Sequence, residues 1–383
     1  MFYIYANEEW PNFTWDYAGL SSLFQRAAFS QGQLAGKISR IGLSQQRAEA
    51  VALATREICE SSEIEGVFLD MSQVRSFVAK RLSRRVVSTP KKQDPAAEGA
   101  AEVVLDATQN YSLAVTKKRL CAWHSLLFPT GFSGVEKIKV GTYRDDKRGK
   151  MRVISMLRNR ECVHYEAPAA EILPKEMSRF LAWLNNRHDN DLAAAAIVHL
   201  WFLTLHPFED GNGRIARALT ELMLSRAEQS PLRFYGMSAA ILRDKRRYYE
   251  ILEKTQSGGL DVSPWMEWFL STLIAAVATS ESAICAALYK AAFWQNLRAT
   301  DLDAAQRKII NRMLDGFAGK LTSSKWAKIC KCSQDTAARA IRDLIDKKIL
   351  RQEGAGRSTH YVLHRRLSRA WVSFSAPDLT PAK

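Results

Sequence analysis

Apolar residues recur at helical spacing along most of the chain, and the pattern changes character twice. Counting from Ala48, the residues Val51, Ala52, Thr55, Ile58 and Cys59 fall 3, 4, 7, 10 and 11 positions on. That repeat marks one helical face and predicts a helix over 44–65, with Ser44 as its N-cap and Gly66 as its stop. Residues 1 to about 40 open on aromatics (Phe2, Tyr3, Tyr5, Trp10, Phe13, Trp15) and pass into another apolar-periodic segment. Residues 88–99, "STPKKQDPAAEG", read as a linker, and helical patterning resumes over 102–127. Further helices are expected near 169–186, 193–205, 214–226, 245–254 and 264–292. Between them "GTYRDDKRGKMRVISMLRNRECVHYEAP" alternates charged, glycine-bearing turns with short β-prone pieces around Met151–Met156, which predicts a small hairpin. The second change comes late. Thr322 and Ser333 are placed to cap two short helices, the second turning Ala337, Ala340, Ile341, Leu344 and Ile345 inward. "ILRQE" and "THYVL" then flank a glycine-bearing tip, and helix–turn–helix followed by a hairpin is the winged-helix order. The expected fold is mainly α, in three parts: 1–95 helical, 96–295 helical with a small hairpin, and 300–365 a winged helix-turn-helix.

Composition narrows the class. Hydrophobic residues at 47% and charged residues at 25% describe a globular chain with ample core. Six scattered cysteines without a zinc spacing fit a reducing, cytoplasmic setting better than a disulfide framework. The start, "MFYIYANEEWPNF", lacks the basic and apolar regions of a signal peptide. The longest apolar run, Leu192–Leu205, contains His199 and falls short of the ~20 residues that span a bilayer, so no membrane partner is expected. Net charge is +15. Residues 301–383 hold 17 Lys+Arg against 8 Asp+Glu, an excess of +9, and residues 75–92 add seven basic residues with no acid. Such clustering suggests a polyanion partner, DNA for the C-terminal part, or a solvated basic face.

The densest chemistry lies at "LHPFEDGNGRIAR", residues 205–217. Glycines in a polar turn let backbone N–H groups face a ligand closely, and a helix starting there adds its dipole, which together favour an anion. Gly211, Asn212 and Gly213 would form that cradle. Arg214 and Arg217, three apart on the following helix, share a face and can both reach a polyphosphate. Asp210 beside an anion makes sense if Mg²⁺ bridges the two. His206 precedes the turn and can accept a proton from an incoming nucleophile. The competing reading is a glycine-rich capping loop with a buried histidine, but it leaves most of these residue types without a reason.

"HPFEDGNGRIAR" resembles the Fic-domain signature at every position. The similarity extends over roughly 100–290, where the hairpin resembles the Fic flap and "KRRYYEILEKTQSGG" and "WMEWFL" are similar to the segments that follow the signature. The first 60 residues also resemble a domain found ahead of Fic domains. The resemblance implies a Fic helical core, transfer of AMP from ATP to a Ser, Thr or Tyr hydroxyl of a target protein or of the chain itself, and release of pyrophosphate. In that scheme His206 deprotonates the hydroxyl, Asp210 holds Mg²⁺ on the phosphates, and residues 211–214 cradle them. Arg217 holds the γ-phosphate. Val153, Ile154, Ser155 and Met156 of the flap would clamp the target as an added strand. Tyr249 and Gln256 match positions that face the nucleotide, whereas Tyr248 is as well explained by helix packing. The motif does not discriminate AMP from UMP.

A second motif bears on the first. The helix predicted over 44–65 ends in "ESSEIEG", with acids at the negative end of its dipole, an unfavourable placement unless something positive faces them. Ser61, Glu65 and Gly66 resemble the Fic inhibitory motif Ser/Thr-x-x-x-Glu-Gly. The resemblance implies that Glu65 pairs with Arg217, takes the γ-phosphate's place and holds the enzyme off; de-AMPylation is a second implied activity. The C-terminal part offers a function of another class, a DNA-binding regulator over residues 304–363 with Arg339, Arg342 and Arg357 toward phosphates. Target recruitment or homodimerisation would use the same module differently.

Overall fold

A computed structural model describes residues 3–83, 94–147, 149–157, 160–186, 192–317 and 319–364. Residues 84–92 of the basic stretch, 88–93 of the expected linker and the basic positions beyond 364 lie outside them. The chain divides into two compact units, Met1–Ser280 and Glu281–Lys383.

The first unit opens with α1 (Tyr17–Ile38), α2 (Leu43–Ile64) and α3 (Met71–Ser83), then α4 (Pro95–Gln109) and α5 (Lys117–Leu127). Two hairpins follow, β1 (Phe132–Ser133) with β2 (Glu136–Lys137), and β3 (Arg152–Leu157) with β4 (Arg160–Glu166). α6 (Leu173–Asn186), α7 (Leu192–Leu205), α8 (Asn212–Glu228), α9 (Met237–Arg243) and α10 (Lys245–Gln256) complete the unit, together with the first part of α11 (Ser263–Asn296).

α7 explains the centre of this unit. Its fourteen residues are all buried, so the alanines at 193–196 let neighbouring helices approach while Ile197, Trp201 and Phe202 fill the space between them. α8 packs along it and α2 packs on α3, α4, α8 and α9. The helix sought at 44–65 is present as α2, but Gly42, not Ser44, is its N-cap. Ala48 is exposed, because the buried face carries Ala50, Glu57, Ser61 and Ser62 as well as the apolar repeat. Gly66 does end the helix, at φ +78°.

Three further expectations change. Pro95–Gly99, read as linker, begins α4: Asp94 accepts a hydrogen bond from the backbone N–H of Ala96, and Pro95 takes the first turn, where its missing N–H costs nothing. Gly99 lies where α5 comes so close that a Cβ would sit 1.8 Å from the Leu126 carbonyl oxygen. The segment expected as one helix over 102–127 is two, broken at 110–116. The longest apolar run remains 192–205, but among the described residues one helix, α11, does reach the length and hydropathy of a membrane span, yet Trp265, Met266, Phe269, Leu270 and Leu273 are buried within the unit.

β3 and β4 pair antiparallel, Val153 opposite Tyr165, with a register irregularity between Val153 and Ile154. Tyr165 is anchored from behind by Tyr3 and by donating its hydroxyl to the Thr204 carbonyl at 2.7 Å. The hairpin's base is thereby fixed to α7.

In the second unit α12 (Ala304–Leu314), α13 (Ser323–Cys330) and α14 (Gln334–Asp346) precede the hairpin β5 (Leu350–Glu353) and β6 (His360–Leu363). Thr322 and Ser333 cap α13 and α14 as expected, and Asp303 with Gln306 forms a capping box on α12. Ile309, Ile310, Trp326, Ala337, Ile341, Leu344 and Ile349 make the core; Ala340 and Ile345 are only partly buried.

Candidate active site

The loop between α7 and α8 is built from its own side chains. Asn212 Oδ1 accepts from the Phe208 N–H at 3.0 Å and Asn212 Nδ2 donates to the Phe208 carbonyl at 2.8 Å. A single amide thus closes both ends of 208–212. Gly211 adopts φ +77°, and a Cβ there would meet the Phe128 ring at 2.7 Å, so glycine is required twice over. Phe208 is buried and stacks on His124 at 4.3 Å between centroids.

Three residues outside the signature brace this loop. Arg144 is buried; its Nε donates to the His206 carbonyl at 2.8 Å, and its backbone N–H donates to the Pro207 carbonyl at 2.9 Å. His124 Nδ1 accepts from the Gly141 N–H at 3.0 Å, which leaves Nε2 as the donor to the Asp210 carbonyl at 3.1 Å. Burial pushes the His124 pKa down to about 4, consistent with a neutral ring that both accepts and donates. Glu209 accepts from the Lys139 N–H at 2.9 Å. None of the three stands at a telling spacing from the signature, so no residue pattern pointed to them.

His206 sits at φ +47° on the pocket wall. Its Nδ1 lies 3.3 Å from the Leu203 carbonyl, an arrangement that places the proton on Nδ1 and leaves Nε2 free to accept. Burial, aided by Arg144 and opposed by Asp210 and Glu65, pushes its pKa down to about 4. At neutral pH the ring is a base.

A cavity of about 840 Å³ opens beside it, a size typical of small-molecule sites. Glu65, Val153, Ile154, His206, Asp210, Asn212, Gly213, Tyr249 and Gln256 all line it. The backbones of Ser155 and Met156 continue β3. Tyr248 is buried and Tyr249 is more open; burial and the facing Glu65 carboxylate push the Tyr249 pKa up to about 12.

Arg214 and Arg217 lie behind this wall. Arg214 rests over the Phe128 ring at 4.8 Å, and its Nε is buried without a hydrogen-bond partner. Arg217 is 2% exposed. Its Nε donates to Ser61 Oγ and its Nη2 to the Ser61 carbonyl and to Glu65 Oε1, each at 2.8 Å. Burial works against the Arg217 charge, and Glu65 and Tyr248 more than restore it. The structure therefore joins the two motifs that the sequence placed 152 positions apart.

Asp210 is one of the carboxylates on the pocket wall and stands beside the glycine turn, where it could hold a divalent cation. Ser133 donates to its Oδ2, and the Gly211 N–H points at Oδ1. Among the described residues no cluster of three or more His, Cys, Asp or Glu forms a ready metal cage. A single carboxylate such as Asp210 would suit Mg²⁺ brought with a polyphosphate, since Mg²⁺ is commonly bound through one or two carboxylates together with substrate phosphates.

Residues 114–224 match the Fic/DOC family, and residues 3–83 match a domain of unknown function, DUF4172. The protein adenylyltransferase Fic of Drosophila virilis is 27% identical over 218 residues, covering 56% of this chain and 40% of that protein. Its counterpart in Nematostella vectensis is 35% identical over 106 residues, 26% of this chain and 22% of that protein. The chain thus spans two-fifths or less of the length of these curated relatives. A solved Fic family protein from Desulfovibrio desulfuricans G20 is 22% identical at a TM-score of 0.46, covering 88% of this chain and 95% of its own. The family match and the relatives support a Fic-family protein.

Proposed function

We propose that the chain is a protein adenylyltransferase that its own α2 keeps switched off. The observation that carries the reading is the Glu65–Arg217 contact at 2.8 Å, made at the wall of a nucleotide-sized cavity that also holds a neutral His206. A target Ser, Thr or Tyr hydroxyl gives its proton to His206 Nε2 while its oxygen attacks the α-phosphorus of ATP. The phosphorus–oxygen bond to the β-phosphate breaks and pyrophosphate leaves. Arg214, the amides of 211–213 and Arg217 meet the phosphate charge, and Arg217 can do so only when Glu65 has left it. Asp210 would hold Mg²⁺, which neutralises charge on the phosphates when bound. Val153 and Ile154 on the cavity wall are placed to position a target segment.

Incubation with α-phosphate-labelled ATP and a cell lysate tests the reading. Glu65→Gly should raise incorporation at least tenfold over the parent, and His206→Ala in that background should return it to zero. Equal incorporation by parent and Glu65→Gly would sink self-inhibition. The second unit, with three helices and a hairpin in winged-helix order, would then serve as a binding module, for DNA or for the target.

A further inference from the structure

We propose that Ser133 of the β1–β2 hairpin is a positioning residue: its hydroxyl holds the Asp210 carboxylate in the orientation that receives a divalent cation. Like the reading above, this rests on Asp210 meeting Mg²⁺ beside the phosphates of a nucleotide.

The hairpin lies outside the signature, and Ser133 stands 77 positions before Asp210. Gly131 and Ile138 close its base, the Ile138 N–H donating to the Gly131 carbonyl at 3.1 Å. Successive strand residues turn to opposite faces, so Phe132 points to solvent, 46% exposed, and Ser133 turns inward, half-buried. There the Ser133 hydroxyl donates to Asp210 Oδ2. Just beyond β2, the Lys139 N–H donates to Glu209 Oε2 at 2.9 Å. One hairpin therefore takes hold of both acids in "EDG", the first through its backbone and the second through a side chain.

Asp210 is held at each of its oxygens. Its carbonyl accepts from His124 Nε2 at 3.1 Å, Oδ1 faces the Gly211 N–H, and Oδ2 takes the Ser133 hydrogen. Of these contacts, the one from Ser133 reaches the carboxylate from another element, whereas the Gly211 N–H belongs to the next residue. An ionised carboxylate offers about four lone-pair sites, so two donors leave each oxygen able to accept a cation. A carboxylate free to turn must be ordered as the cation binds, and one already held is spared that loss. Removing a hydrogen-bond partner of a metal-binding carboxylate commonly weakens metal affinity about ten- to a hundredfold. A serine that merely completes a turn bonds within its own hairpin, as Ser358 does by donating to the Ala355 carbonyl at 2.8 Å. Ser133 spends its hydrogen on the signature loop instead.

The test reads binding rather than turnover. In Glu65→Gly protein, ATP affinity is measured by calorimetry at saturating Mg²⁺ and again in EDTA, with thermal melts alongside. The ratio of the two affinities is the gain that the cation brings. Asp210→Asn should lower that ratio most. Ser133→Ala should lower it about tenfold and leave the affinity in EDTA within about twofold. Ser133→Thr, which keeps the hydroxyl, should stay within about twofold of Glu65→Gly on both measures. An unchanged ratio in folded Ser133→Ala protein, beside a lowered one in Asp210→Asn, overturns the positioning role alone. Equal weakening of ATP with and without Mg²⁺ overturns it too, because the loop as a whole is then disturbed. A folded Ser133→Thr protein with the ratio of Ser133→Ala does the same. An Asp210→Asn protein that keeps the full gain from Mg²⁺ overturns the role read for Asp210 and this proposal with it.

Discussion

The carboxylate of Glu65 lies where a side chain on Gly213 would begin: a Cβ built there would meet Glu65 Oε1 at 2.0 Å. The bare helix start that would let phosphates approach on the proposed reading also lets Glu65 approach. Gly213→Ala should therefore displace Glu65, which sits at the end of a flexible side chain, and crowd the phosphates as well. Labelled-ATP incorporation by Gly213→Ala should stay at least tenfold below that of Glu65→Gly, although both break the same contact. Equal activity in the two variants would show that the phosphates do not need this glycine.

Ser61 holds Arg217 without supplying charge. Ser61→Ala leaves the buried Arg217 Nε without an acceptor, a loss on the order of 1–3 kcal/mol. Denaturant melts should show that loss, and incorporation should rise above the parent but stay below Glu65→Gly. A variant as stable as the parent would mean that water replaces the hydroxyl.

The pH dependence of transfer follows from His206. With its pKa pushed down to about 4, the base form is complete well above that value and disappears as pH falls through it. Incorporation by Glu65→Gly should be flat with respect to this group from about pH 6 to 8 and decline only below about pH 5. Loss of Glu65 removes a charge that favours protonated His206, so the variant's fall should come no higher. A midpoint near 6.5, the value of a free histidine, would contradict the buried geometry.

Glu57 has the opposite sign. Burial, then the neighbouring Glu221, pushes its carboxyl pKa up to about 8. Between about 4.5 and 8 the native protein keeps a proton that the unfolded chain releases, so this group's contribution to stability is lost as pH rises through that window. Glu57→Gln imitates the protonated form and escapes the loss. The melting temperature of Glu57→Gln relative to the parent should climb between pH 5 and 8; a constant difference would place the native pKa outside that range.

How much of this could be read from the residues differs from element to element. Residues 206–217 were legible because each role demands a particular side-chain type and all stand in one run. The partnership of Ser61 and Glu65 with Arg217 was legible only through a resemblance to known inhibitory motifs, since a helix ending in acids is otherwise just a solvated helix. His124 and Arg144 were not legible: each acts through backbone carbonyls, and such contacts impose no spacing. Ala48 misled for a related reason. The buried face of α2 includes Glu57, Ser61 and Ser62, and apolar periodicity does not count polar residues that find partners inside. Pro95 and Gly99 looked like linker because both break structure in isolation, whereas here one starts a helix and the other admits a neighbour.

α2 is held to α9 well before its end at Glu65. A Cβ on Gly236 would lie 2.2 Å from Glu57 Oε2, and that oxygen accepts from the Ser238 N–H at 2.9 Å. The body of the helix is seated, while the Glu65 side chain at its tip retains 29% exposure. Uncovering Arg217 thus asks for rotation of one side chain rather than departure of a helix. An unpaired exposed side chain changes rotamer within about nanoseconds, so the ion pair to Arg217 is what holds Glu65 in place. On the proposed reading, the closed state is then a side-chain equilibrium, and its depth answers to whatever competes with Glu65 for Arg217.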